Sequence, residues 1–191
     1  MAKTAIFGGT FDPIHSAHLL VGSEARRAFQ LDKVLLVPAG TPPHKEGPEA
    51  SFEDRLAMVK LACQGMEGFE VSDVERDGGK SYSIFTIEKL RKPGETLYFV
   101  IGADAFAELQ TWYRWKDVAA AVEFIVVTRP GHVYEIPEGA VAHTLATVDE
   151  PISSSEVRRK IAAGVIPEEI PAPVRRYIEE RKLYGISGRV R

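Results

Sequence analysis

Cysteine is almost missing from this chain: Cys63 stands alone among 191 residues. One thiol closes no internal disulfide, which excludes a disulfide-stapled secreted scaffold and fits a reducing cytoplasm. A strong charge imbalance is missing too. The 24 Lys and Arg against 27 Asp and Glu leave a formal net charge of −3, with no basic excess for a dedicated nucleic-acid binder. No apolar run approaches the roughly 20 residues that span a bilayer, and residues 1–7 lack the layout of a signal peptide. Internal repeats and low-complexity stretches are absent as well. What is there is ordinary for a globular protein: 45% hydrophobic and 27% charged residues. The length suits one well-buried domain and is short for two. The expectation is a cytoplasmic protein with no membrane association, one domain over residues 1–185 and a frayed tail over 186–191.

Short β-branched runs alternate with longer amphipathic stretches. Strands are predicted at 3–8, 33–38, 69–74, 96–102, 123–128 and 144–148, and helices at 16–30, 52–64, 83–91, 115–121, 154–163 and 173–181. Val34-Leu35-Leu36-Val37 and Leu97-Tyr98-Phe99-Val100-Ile101 do not alternate with polar residues, as suits strands covered on both faces. Strand–helix alternation of this kind predicts an α/β class, a doubly wound and mostly parallel sheet of Rossmann-like form with right-handed crossovers. Such sheets bind ligands beyond the carboxyl ends of their strands. The chemically distinctive residues fall at those ends: Gly8-Gly9, the segment 38–45, and Gly102-Ala103-Asp104. Residues 41–51, rich in Pro, Gly and Glu, read as a mobile loop beside the site.

The stretch Gly8-Gly9-Thr10-Phe11-Asp12-Pro13-Ile14-His15-Ser16-Ala17-His18 carries most information. A strand, a glycine turn and a helix N-terminus let backbone amides approach an anion at the positive end of a dipole. His15 and His18, three apart, both face that turn and each has a hydrogen to donate to phosphate. Taken singly, the glycines are a turn and Asp12-Pro13 a strand terminator. Two histidines could also ligate a metal, but zinc takes three or four ligands, and His44, His132 and His143 are scattered. No protein metal site is expected.

Four further constellations follow. Pro42-Pro43 stiffens the loop that carries His44 and Lys45, a point charge suited to phosphate. Ile152-Ser153-Ser154-Ser155 opens a second helix N-terminus with Arg158 in reach; capping alone needs one serine. Asp104 either receives sugar hydroxyls or caps a short helix, and Thr111-Trp112-Tyr113-Arg114-Trp115 suits a flat ring, although core packing explains one tryptophan.

Residues 8–18 resemble the signature of the nucleotidyltransferase superfamily, with Ala17 where a glycine is usual. Pro42-Pro43-His44-Lys45 with Trp112-Tyr113 is similar to bacterial nicotinate-nucleotide adenylyltransferases, and the likeness covers most of the chain. It implies adenylyl transfer from ATP to nicotinate mononucleotide, giving deamido-NAD and pyrophosphate, with Mg²⁺ accompanying ATP. It assigns ATP to Gly8, Gly9, Thr10, Phe11, His15, His18, Gly102, Asp104, Ile152, Ser153, Ser154, Ser155 and Arg158, with His18, His15 and Arg158 at the reacting phosphates. His44, Lys45, Ser83 or Thr86, Trp112 and Tyr113 would hold the mononucleotide; Ser81-Tyr82-Ser83 resembles a family Ser-Tyr-Thr segment, and Phe85 sits where an Asp is common. An amide-preferring enzyme, a phosphopantetheine adenylyltransferase and a non-catalytic nucleotide sensor stay open as alternatives, and so does a homo-oligomer.

Overall fold

The computed structural model describes residues 1–41, 47–77, 79–129, 131, 133–146 and 152–186. Six strands, β1 (Ala2–Gly9), β2 (Lys33–Pro38), β3 (Phe69–Val71), β4 (Glu95–Gly102), β5 (Glu123–Thr128) and β6 (Val141–Ala146), form one sheet. Its order is β3-β2-β1-β4-β5-β6 and every neighbouring pair is parallel. Among the described residues, seven α-helices accompany it: α1 (Ser16–Phe29), α2 (Phe52–Cys63), α3 (Ser83–Leu90), α4 (Ala103–Ala107), α5 (Trp115–Ala121), α6 (Ser154–Ala162) and α7 (Ala172–Arg181).

Side chains alternate strictly through the central strands, which sends neighbouring residues into two cores. Ala5, Tyr98, Val100 and Ile125 join the layer under α1, α2, α6 and α7, with Met58, Val157 and Val174. Ile6, Phe99, Ile101 and Phe124 face α3, α4 and α5, with Ile87, Phe106 and Val118. Both faces are therefore covered, which is why β2 and β4 carry unbroken apolar runs.

The doubly wound parallel class expected from the alternation is what the chain adopts. β3 ends at Val71, three residues sooner than expected. β6 starts at Val141, three residues earlier than the predicted 144–148, and pairs Ile125 with His143. It is an edge strand with much of its length exposed, so its sequence carries no apolar run to mark its start. Ile186, expected in the frayed tail, is buried at 8% exposure within the α1-side core. The loop expected over 41–51 is pinned at its far end: Ala50 is buried, and the amides of Glu49 and Ala50 are bonded to Asp12. Among the described residues, no helix is long and apolar enough to cross a membrane.

From β1 the chain winds outward through β2 and β3, then returns to lay β4 on the other side of β1. The crevice beyond the carboxyl ends of β1 and β4 is thus the topological switch point, where open parallel sheets bind ligands.

Candidate active site

β1 runs out at Gly9, and the chain turns sharply before α1. Phe11 takes a left-handed backbone (φ 49°), and the Asp12-Pro13 bond is cis. Gly9 is required here. A Cβ on it would stand 2.9 Å from the Phe11 ring, which folds back beneath the loop and meets His18 edge-on at 5.1 Å. His15 is the N-cap of α1 and is buried at 4% exposure. Its ring lies against that of His18, with centroids 3.8 Å apart and planes 31° apart.

The His15 backbone N–H donates to Nδ1 of His18 at 3.2 Å. Nδ1 of the neutral ring is therefore the acceptor, and the proton sits on Nε2. Burial, and then the charge of His15 alongside, hold His18 well below its usual pKa. Burial lowers His15 to about 4, with Glu169 pulling the other way. Both rings are neutral at physiological pH, and the donor His18 offers is one directed Nε2–H. Nδ1 of His15 is buried without a hydrogen-bond partner among the described residues.

The second helix entrance docks on the first. Ser153 caps α6, its hydroxyl accepting from the Glu156 amide at 3.2 Å. The Ser154 hydroxyl donates to the Pro13 carbonyl at 3.0 Å, and Arg158 Nη1 donates to the Asp12 carbonyl at 2.8 Å. Two N-terminal dipoles and a guanidinium thus meet over residues 12–15, although about 140 residues of sequence separate them. Arg158 is held by a carboxylate here, Nε donating to Glu49 Oε1 at 2.6 Å.

A cavity of about 250 Å³ opens at the switch point. Gly8, Gly9 and Gly102 form its strand-end wall, Trp112 and Phe99 its aromatic wall, and Ser81, Ser83, Thr86 and Glu75 its polar side. Trp112 stands edge-on to Phe99 at 6.0 Å. The Thr86 hydroxyl is spent on Glu75 Oε1 at 2.5 Å, whereas the buried Ser81 hydroxyl has no partner among the described residues. Asp104 is exposed in the first turn of α4, beyond Gly102.

The structure ties Ser154 and Arg158 to Pro13 and Asp12, in the turn that follows Thr10 and Phe11 and leads into His15 and His18, and sets Gly8, Gly9, Gly102, Ser83, Thr86 and Trp112 around the cavity. Ile152 packs against the core and Ser155 is exposed at the start of α6. Tyr113 stands apart: half exposed, it packs on Tyr82 and Phe85 at 4.9 and 5.8 Å instead of lining the cavity. His44 and Lys45 lie outside the described residues.

Sequence reasoning passed over several groups. Asp12, read as part of a strand terminator, is buried at 2% exposure and accepts from the Glu49 amide (2.8 Å), the Ala50 amide (3.1 Å) and the Tyr184 hydroxyl (2.8 Å). Burial, then Asp12, keep the Tyr184 phenol protonated as that donor. Glu75 accepts from the Gly40 amide at 3.0 Å. Arg55 lies fully buried inside α2. The one available signal for Arg55 was a charge set among the apolar residues of its helix.

A parallel sheet with paired helix dipoles, two neutral histidines and an arginine at its switch point defines a phosphate-handling nucleotide-binding protein. Residues 6–160 match the cytidylyltransferase-like family. The chain is 54% identical over 187 residues to a probable nicotinate-nucleotide adenylyltransferase of Solibacter usitatus (strain Ellin6076), spanning 96% of this chain and 100% of that relative. It is 41% identical over 190 residues to a probable nicotinate-nucleotide adenylyltransferase of Exiguobacterium sibiricum, covering 96% and 99% of the two chains. The Plasmodium falciparum nicotinic acid mononucleotide adenylyltransferase complexed with NaAD superposes with a TM-score of 0.79 at 21% identity, covering 98% and 99%, and shares the fold. The chain belongs to the cytidylyltransferase-like family, among the enzymes of its nicotinate-nucleotide adenylyltransferase branch.

Proposed function

We propose that this protein joins nicotinate mononucleotide to the AMP portion of ATP, in a cytoplasmic setting, forming deamido-NAD and pyrophosphate. An ionised phosphate oxygen of the mononucleotide attacks the α-phosphorus of ATP in line; the new P–O bond forms as the bond to the bridging oxygen breaks and pyrophosphate leaves. A phosphomonoester has its second pKa near about 6, so the nucleophile needs no base and no covalent enzyme intermediate. The work that remains is holding two polyanions in line and steadying charge as it shifts to the leaving group.

The residues suit that work. The His18 Nε2–H, set by the bond from His15 N–H to Nδ1, is the donor to the α-phosphate oxygens. His15 supports it from below. Gly8, Gly9 and Thr10 bring backbone to the triphosphate, and the α6 entrance with Arg158 neutralises pyrophosphate once Glu49 gives way. Asp104, exposed in the first turn of α4 just past β4, would receive ribose hydroxyls. Trp112 borders the pyridine ring, and Ser83 is the better hydroxyl for its carboxylate because Thr86 is committed to Glu75. His44 and Lys45 are assigned to the phosphate side of the mononucleotide on sequence grounds alone. Mg²⁺ would travel with the triphosphate: among the described residues no group of three or more His, Cys, Asp or Glu is placed to cage a metal, so phosphate and water would be its ligands.

The observation that carries this reading is the docking of α6 on the α1 entrance beside an open, tryptophan-walled cavity. It is tested by pyrophosphate release from ATP with nicotinate mononucleotide, its amide counterpart and phosphopantetheine offered in parallel. Strong preference for the nicotinate acceptor supports it. Preference for another acceptor, or binding of ATP without release, refutes it.

A further inference from the structure

Among the described residues, Arg55 is the largest side chain with under 2% exposure, yet it does not line the cavity. Its neighbours on α2 include Leu56, Met58 and Val59, all core residues, so an apolar side chain would pack at this position without the desolvation that a guanidinium incurs. Four of its five N–H donors reach backbone carbonyls. Nη1 donates to the carbonyls of Thr10 and Ala39, each at 2.8 Å, Nη2 to Gly40 at 3.4 Å, and Nε to Ala50 at 3.3 Å. Those four carbonyls belong to three separate segments: the turn after β1, the turn after β2, and the approach to α2.

Three of these residues are gripped at both polar ends: Ala39 gives its N–H to the Gly9 carbonyl and its own carbonyl to Arg55. Gly40 gives its N–H to Glu75 and its carbonyl to Arg55; Ala50 gives its N–H to Asp12 and its carbonyl to Arg55. Asp12 and Glu75 are also the carboxylates that offset the buried positive charge. A planar fork spreads five donors over three nitrogens in a fixed geometry, whereas a lysine has three donors on a single nitrogen. Asp12 lies in the turn that carries His15, and Glu75 lines the cavity with Trp112.

We propose that Arg55 is a positioning residue for the transfer reaction: it locks the ATP-side turn at Thr10 to the mononucleotide-side turn at Ala39-Gly40, fixing the two substrate phosphates in line without touching either. The inference rests on the function proposed above.

Its test uses full-length Arg55→Lys and Arg55→Met. Both should raise KM for ATP and KM for nicotinate mononucleotide together by about tenfold and lower kcat by more, since an ångström of misalignment costs on the order of a hundredfold. Guanidinium ion should restore part of the activity of Arg55→Ala. A merely structural arginine would lower the melting temperature and the active fraction while leaving both KM values where they are; that result overturns the proposal, as does a rise in one KM alone. Arg55→Lys keeps the charge and guards against loss of folding. Hydrogen exchange at the Gly40 and Ala50 amides supplies a readout free of catalysis: the two should lose protection together in Arg55→Lys, and independent or unchanged exchange refutes the lock. Wild-type protein that fails to transfer adenylate sinks the functional reading, while the exchange experiment still decides for or against the lock.

Discussion

Acidification from pH 7 to 4.5 should destabilise the fold by roughly 2 to 3 kcal/mol through His15. The imidazole is buried at 4% exposure, and burial lowers its pKa from 6.5 to about 4, against a smaller opposing pull from Glu169. In the unfolded chain the same group titrates near 6.5. Between those values the unfolded state binds a proton that the folded state refuses, so stability falls as pH falls. The contribution is fully present above about 6.5 and is lost progressively toward about 4, at no more than about 1.4 kcal/mol per pH unit. His18 acts in the same direction, since burial and its neighbour lower it too.

Urea unfolding at pH 7.0, 6.0, 5.0 and 4.5 would read this in wild type and in His15→Asn, which keeps an N-cap type without a titrating ring. Wild type should lose stability more steeply. The gap between the two proteins should close by roughly 2 kcal/mol or more across the range, a midpoint difference of about 1 M urea for a slope of about 2 kcal/mol/M. Parallel loss in both proteins would show that His15 is not held neutral by the fold, and the donor geometry argued for His18 would lose its foundation.

Three other outcomes follow from the site. His18→Ala should lower kcat by about a hundredfold or more, the usual effect of removing a donor to developing charge, and near-normal turnover would refute its role. Trp112→Ala should raise KM for the mononucleotide and leave KM for ATP in place; the opposite pattern would mean that the cavity belongs to the adenine side. Glu49→Gln should lower KM for ATP about two- to fivefold, because the Glu49–Arg158 pair is partly exposed and its release frees Arg158 at small cost. An unchanged or higher KM would show that Glu49 supports the arginine and does not compete with the triphosphate.

The sequence exposed whatever rests on local pattern. Unbroken apolar runs at 34–37 and 97–101 announced strands buried on both faces, and Gly8-Gly9 followed by His15 and His18 announced the turn from β1 into the entrance of α1. Serines ahead of Arg158 marked a second helix entrance. Long-range pairing left no such trace. β6 is an edge strand with little to bury, so its start was misplaced. Thr86 looked like a free hydroxyl until Glu75, eleven residues away, proved to hold it. Tyr113 seemed a partner of Trp112, yet adjacent residues point to different surroundings: Trp112 to Phe99, Tyr113 to Tyr82.

The most consequential groups that went unread are the charged ones, and they have a common reason. Glu75, Arg55, Asp12 and Glu49 join Arg158, which the sequence did mark, in a row Glu75, Arg55, Asp12, Arg158, Glu49 that alternates in sign, each member contacting or electrostatically facing the next. None of the four unread groups stands out alone, because burial of one is tolerable only when the next is beside it. That mutual dependence is invisible in sequence, where neighbouring members stand as far as 146 positions apart. It also links the polar wall of the cavity at Glu75 to Arg158. On the proposed function, a triphosphate arriving at Arg158 would replace Glu49, the last and most exposed member of the row, and leave the buried members paired. The row would then exchange its terminal carboxylate for substrate without exposing an unpaired charge in the core.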